Sequence, residues 1–118
     1  MLEKLILKYL LIYNNYQQYY KHINIGNIKD NYKELHSIYK TLEEYYDKYH
    51  KDLSLEELEL FFYSQRPALR EKDKEIYQQL FSQVSQADIN QDLITDVLLQ
   101  LKQRQEAFEL SELAYQVS

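Results

Sequence analysis

The sequence predicts an all-α fold, a small bundle of about five helices ending in a helical hairpin whose last helix leads to a linker. Three observations carry this. The chain holds a single Gly, Gly26, and a single Pro, Pro67, while Leu, Glu, Lys and Gln abound; the first two residue types break helices and the others favour them. Apolar residues recur at helical spacing, most plainly in Ile28, Tyr32, Leu35, Tyr39, Leu42, Tyr46 and Tyr49, at steps of four and three. Ser54-Leu55-Glu56-Glu57 is a capping-box pattern, in which the Ser hydroxyl and the Glu carboxylate each satisfy a free amide at a helix start.

Taken in order, Leu2 to about Tyr13 predicts a first helix, with Leu2, Leu5, Ile6, Tyr9 and Tyr13 on one face and Asn14-Asn15 interrupting it. A short helical piece, Tyr16 to His22, leads into an irregular stretch around Gly26. The seam from Ile28 to Tyr49, widened by Ile38 and Tyr45, could be a coiled coil, but three heptads flanked by short helices fit the central helix of a bundle better. The capped helix from Leu55 carries Leu58, Phe61 and Phe62 and should end near Ser64, because the residue before Pro67 is pushed out of the helical region. A fourth helix is expected from about Leu69 to Val84, burying Ile76, Leu80, Phe81 and Val84. Ser85 to Asn90 then turns the chain, with Asp88 or Asn90 able to cap the fifth helix. The domain reading is a globular helical subdomain over 1–68 and a hairpin with the start of a linker helix over 69–118, one domain overall.

The fifth helix carries two stripes. At about 100° per residue, Ile94, Val97, Leu98, Leu101, Phe108 and Tyr115 lie along one face and Ala107, Leu110, Ala114 and Val117 along nearly the opposite one. A helix packed on one bundle needs only the first. Either the second is weak and semi-exposed, being half alanine, or something outside the domain covers it. The candidate interface is Leu101, Ala107, Phe108, Leu110, Ala114 and Val117. From Asn90 to Ser118 no Gly, Pro or capping residue closes the helix, which leads us to expect that Ser118 cuts through a longer protein.

Charge and composition exclude several classes. Residues 1–51 hold eight Lys against six acids, +2, and residues 52–118 six Lys/Arg against thirteen acids, −7. So acidic a surface repels phosphate, and direct nucleic-acid binding is not expected. The thirteen Tyr could stack on bases, but with no basic groove around them they read as core and interface filling. No Cys is present, which removes disulfides, thiolate chemistry and Cys-based zinc sites and suits a cytoplasmic location. No apolar run reaches the roughly 18 residues of a membrane span, and no small-residue cleavage site follows the start as in a signal peptide.

A phosphate-binding loop needs at least two glycines, so nucleotide hydrolysis is not expected of this chain. His22, His36 and His50 are fourteen residues apart, and His36 and His50 on one helix would be separated by about 21 Å, too far to share a metal. Acidic pairs such as Glu56/Glu57 sit where a helix dipole favours negative charge. With no Glu-x-x-His pair, nucleophile elbow or Cys nucleophile, no catalytic, cofactor-binding or metal-binding residue is assigned.

Three segments together resemble the N-terminal domain of a DnaB-type replicative DNA helicase, particularly the divergent phage-encoded kind. LEKLILKYLLIYNNYQQYYKHI, Leu2 to Ile23, is similar to that family's first helix and the aromatic segment after it. LHSIYKTLEEYYDKYHKDLSLEELELFF, Leu35 to Phe62, resembles its central helix, charged turn and next capped helix. LLQLKQRQEAFELSELAYQVS, Leu98 to Ser118, looks like the second arm of its helical hairpin. The resemblance implies a non-catalytic assembly domain that dimerises through the hairpin, forms a collar on a hexameric ring and meets primase or a helicase loader, in the cytoplasm of a bacterium or phage-infected cell. ATP and Mg would then belong to a motor domain beyond Ser118. The short hairpin turn and the acidic C-terminal half depart from cellular members. The competing expectation is a stand-alone phage or bacterial helical adaptor or inhibitor that binds a host protein.

Overall fold

The computed structural model describes residues 2–88 and 90–117, with the side chains of residues 2–88 and 90–104. The fold is all-α, with about 80% of the chain helical and no strand among the described residues. The helices are α1 (Leu2–Tyr9), α2 (Tyr13–Tyr19) continued by a 3₁₀ turn (Tyr20–His22), α3 (Ile25–Asn31), α4 (Lys33–Tyr49), α5 (Leu55–Ser64), α6 (Glu71–Gln86) and α7 (Gln91–Val117).

The expected first helix is broken earlier than its sequence indicates, and the reason is tertiary. α1 ends at Tyr9, its last turn tightened by the Leu10 amide donating to the Ile6 and Leu7 carbonyls at 3.0 and 3.1 Å. The groups freed at the joint find partners some forty residues on. The Leu10 carbonyl accepts from the Tyr46 hydroxyl, the Leu11 carbonyl accepts from the Leu53 amide at 3.1 Å, and the Tyr13 amide donates to Asp52 Oδ1 at 2.8 Å. Asn14 and Asn15 therefore lie inside α2. Asn15 still acts at a helix end, its Nδ2 donating to the Tyr9 carbonyl at 3.1 Å.

Gly26 is helical, contrary to the irregular stretch expected around it. Asn24 caps α3 by accepting from the Asn27 amide at 2.9 Å, which offsets the entropic cost of an internal glycine. Tyr32, with φ −141°, separates α3 from α4, so the long seam is two helices that share one core. Ile28, Leu35, Ile38, Tyr39, Leu42, Tyr45 and Tyr46 are all buried, whereas Tyr49, the seam's last member, is exposed. α4 stops at His50, which adopts the left-handed conformation (φ 51°, ψ 39°) that Gly usually supplies. The Tyr13 hydroxyl lies 3.1 Å from its Nδ1 and ties the cap to α2.

The capping box of α5 forms as expected. The Glu57 amide donates to Ser54 Oγ at 3.1 Å and the Ser54 amide to Glu57 Oε1 at 2.9 Å, and these bonds hold the Glu57 carboxyl below its usual pKa. Ser54→Ala should lower stability by about 1 kcal/mol in urea unfolding; an unchanged midpoint would show the hydroxyl to be dispensable.

α6 starts at Glu71, two residues later than expected, because Leu69 turns inward from the preceding loop. Phe81 and Val84 are buried as expected and Leu80 is partly so, but Ile76 is 41% exposed. α6 also runs past Val84 to Gln86. Lys8 Nζ caps that end, donating to the Ser85 and Ala87 carbonyls at 3.1 and 2.9 Å. Asn90, of the two expected caps, accepts from the Leu93 amide at 3.3 Å.

One core joins residues from both expected subdomains, from Ile6, Leu7 and Leu10 through Phe62 to Phe81, Val84, Ile94 and Leu98. α1 is the shared support: among the described residues α6 leans on α1 and α5, while α7 leans on α1, α2 and the 3₁₀ turn. At 1.5 Å per residue α7 is about 40 Å long. No described helix is long and apolar enough to cross a membrane.

Candidate interaction surfaces

Among the described residues the tyrosines other than Tyr49 turn inward, wholly or in part. Tyr16 lies 4.4 Å from Tyr46 and 4.6 Å from Tyr20 between ring centroids, and Tyr13 lies 5.0 Å from Tyr46. These rings spend their faces on one another, joining α2 to α4. Burial, then the nearby Glu43, Asp47 and Tyr13, push the Tyr16 phenol up to about 12. Tyr20 is raised by burial and by donating to Glu43 Oε2 at 2.6 Å. Tyr39 and Tyr46 are raised chiefly by burial, each donating to a backbone carbonyl of the N-terminal segment, Glu3 for the former and Leu10 for the latter. Fixed in this way, Tyr16, Tyr20, Tyr39 and Tyr46 are structural members.

Among the described residues, two of the surfaces that combine exposed apolar side chains with charge bear on association. The first is the outward face of α7. Ile94 and Leu98, 2% and 1% exposed, seal the inner face, and the Thr95 hydroxyl meets that of Tyr9 at 2.9 Å. Of the expected interface residues, Leu101 is half-buried and packs against the same core, so it belongs to the inner face. The side chains of Ala107, Phe108, Leu110, Ala114 and Val117 lie outside the described residues, although α7 itself continues through them. Leu99, which the sequence reading passed over, is 41% exposed. It stands about 140° around the helix from Ile94, the angle at which Leu110 and Val117 follow. Asp92, Asp96 and Gln103, all exposed, share that side.

The second surface is a groove of about 390 Å³ between the end of α4 and α5, lined by Tyr45, Tyr49, Lys51, Leu60 and Phe61 among others. Leu60 is 73% exposed and Tyr49 42%. Tyr45 and Phe61 meet edge to face at 5.7 Å and form its floor. Lys48 and Lys51 hold their ammonium groups 5.3 and 5.9 Å from the Tyr49 ring. Glu57 also lines the groove, and Lys51 is close enough to help hold its carboxyl below the usual value. This groove was not foreseen. Leu60 falls off the Leu58–Phe62 stripe and is an exposed leucine by spacing alone, but the approach of Lys48 and Lys51 to α5 requires the α4–α5 turn.

His22 and His36 are half-buried and His50 is exposed and caps α4. Among the described residues no three His, Asp or Glu side chains group as metal ligands would. In comparisons with protein families, curated proteins and solved structures, no family model, protein or structure matches this chain.

Proposed function

We propose that the chain is a non-catalytic assembly domain that associates with copies of itself through the outward face of α7. The observation that carries this is Leu99: on a helix whose inner face is sealed by Ile94 and Leu98, it opens an apolar stripe on the opposite side, 41% exposed, that Ala107, Leu110, Ala114 and Val117 extend in sequence. An exposed leucine that opens a stripe continued in the sequence supports a contact surface on this side of the helix. Combined with the resemblance of the three segments, this supports an N-terminal collar domain of a DnaB-type hexameric replicative helicase, working in the cytoplasm of a bacterium or phage-infected cell and offering a docking surface to primase or loader. In that reading ATP and Mg are handled by a motor domain outside this sequence, and this piece acts on neither nucleotide nor DNA directly.

Light scattering tests the association. The wild-type chain should exceed monomer mass at high concentration, and Leu99→Asp, or Leu110→Asp with Val117→Asp, should return it to monomer with its helical circular dichroism intact. A strict monomer in every case sinks self-association. The helicase assignment has its own test, the parent reading frame, where a Gly-Lys-Ser/Thr loop within roughly a hundred codons is expected. The exposed Leu60 groove favours a second reading, a free-standing adaptor gripping another protein. A natural stop codon directly after Ser118 would favour it over the first.

A further inference from the structure

The rings that join α2 to α4 also form a line of side chains able to give up one electron. Tyr49, 42% exposed at the end of α4, lies 4.8 Å from Tyr45 between ring centroids. Tyr45 lies 5.7 Å from Tyr46, Tyr46 4.4 Å from Tyr16, and Tyr16 4.6 Å from Tyr20. Each ring therefore packs on the next, from the exposed Tyr49 to the half-buried Tyr20. The chain has no Trp, no Cys and a single Met, so its thirteen Tyr are the main side chains open to one-electron oxidation.

A phenol that loses an electron becomes a very strong acid, so the oxidised site settles where the proton has somewhere to go. Tyr46 donates to the Leu10 carbonyl, a poor base. Tyr20 donates to the Glu43 carboxylate at 2.6 Å, the length of a strong bond to an anionic oxygen and within reach for proton transfer. Lys40 Nζ, 3.2 Å from Glu43 Oε2, holds that carboxylate in place. Tyr63 has a carboxylate partner too, Glu59 at 2.9 Å. Among the described residues, however, the rings it meets are those of Phe62 and Phe81, which are far harder to oxidise, and it stands outside the line.

We propose that Tyr49, Tyr45, Tyr46, Tyr16 and Tyr20 form a relay for oxidising equivalents, which enter at Tyr49 from a one-electron oxidant such as a small solution radical and come to rest on Tyr20. In the net step the oxidant gains one electron, the Tyr20 O–H bond breaks, and the proton forms a new O–H bond on Glu43 Oε2. A neutral tyrosyl radical is left beside a protonated carboxyl. A one-electron donor from solution, such as an enediol or a thiolate, is oxidised in turn as it returns the electron, and Glu43 returns the proton. The exposed end of α4 is thereby spared the phenol coupling that would cross-link copies through Tyr49.

The absence of Cys makes the test site-specific. Lys48→Cys gives the full chain a single thiol beside Tyr49, to which a ruthenium polypyridyl photo-oxidant can be attached. After a flash and rapid freezing, electron paramagnetic resonance should show a tyrosyl radical on Tyr20, identified by the loss of that signal in Tyr20→Phe. Tyr16→Phe keeps a ring in place but removes the link that Tyr20 meets. It should lose most of the Tyr20 signal and yield dityrosine-linked dimers through Tyr49 instead. Tyr45→Phe, which breaks the line at a second point, should do the same. Glu43→Gln keeps a hydrogen-bond acceptor without a base and should also lose the Tyr20 signal, whereas Tyr63→Phe should leave it unchanged. Circular dichroism identifies the variants that keep the wild-type helices, and the comparison is made on those. A Tyr20 signal undiminished in Tyr16→Phe or Tyr45→Phe would overturn the relay, as would a wild-type radical that stays on Tyr49.

Discussion

Phe62→Ala is expected to lower the stability of the fold by about 3 to 5 kcal/mol, the range for deleting a fully enclosed aromatic ring. Phe62 is 0% exposed and forms the joint between α5 and α6. Its ring lies 4.5 Å from Tyr77 and 5.7 Å from Phe81 between centroids. The Arg66 guanidinium covers the other side at 3.9 Å while Nη1 donates to the Phe62 carbonyl at 3.2 Å. Truncation would leave a cavity walled by rings, which collapse poorly, and strip the guanidinium of its partner. Since domains of this size are stable by about 5 to 15 kcal/mol, a fifth or more of the total is at stake. Urea unfolding followed by circular dichroism should show a lower midpoint with the slope unchanged. Leu60→Ala, at a position 73% exposed, should stay within about 0.5 kcal/mol of wild type. A loss below about 1.5 kcal/mol for Phe62→Ala would mean that α5 and α6 are not part of one cooperative core.

A second large effect is expected in alkali. Tyr16, Tyr20, Tyr39 and Tyr46 are all held above the ordinary phenol value near 10, burial being the leading cause for each, and Tyr16 reaches about 12. The folded state thus favours the neutral phenol more than the unfolded chain does. The resulting stabilisation is fully present below about pH 10. It is lost as pH rises from there through the folded values, because the unfolded chain releases these protons first. The helical signal should therefore hold to pH 10 and collapse cooperatively between about pH 11 and 12, with tyrosinate absorbance rising in the same transition. Gradual ionisation of every tyrosine near pH 10 with the helices intact would show that these hydroxyls are not enclosed.

What could be read from the chain and what could not divides by the range of the interactions concerned. The Ser54 box and the stop before Pro67 depend on residues within one helical turn of each other, and both stand where expected. The break at Leu10–Ile12 depends on Tyr46, Asp52 and Leu53, and no local pattern contains it. Gly26 misled because a single glycine is a weak breaker, at roughly 1 kcal/mol, when an Asn caps the turn before it. His50 shows the converse: α4 ends in the left-handed region without a Gly, since the Tyr13 hydroxyl and ring meet the imidazole there. On α7, the inner stripe was legible through Ile94, Leu98 and Leu101, while the side chains of the second stripe from Ala107 onward lie outside the described residues. Leu99 and Leu60 escaped notice because an isolated off-stripe leucine has no meaning until the opposite face is known to be filled.

The joint between α1 and α2 also bears on how the chain is made. Its backbone groups are satisfied by Tyr46, Asp52 and Leu53, so during synthesis the N-terminal segment must wait for its own anchors. At about 5 to 20 residues per second, Leu53 is added about 2 to 8 s after Leu11, and later still clears the ribosome. Throughout that interval Leu7 and Leu10, both fully enclosed in the finished fold, have nothing to pack against. The α1–α2 segment thus stays apolar and unanchored for seconds during synthesis, which makes it the part of the chain most exposed to non-native contacts before the domain closes.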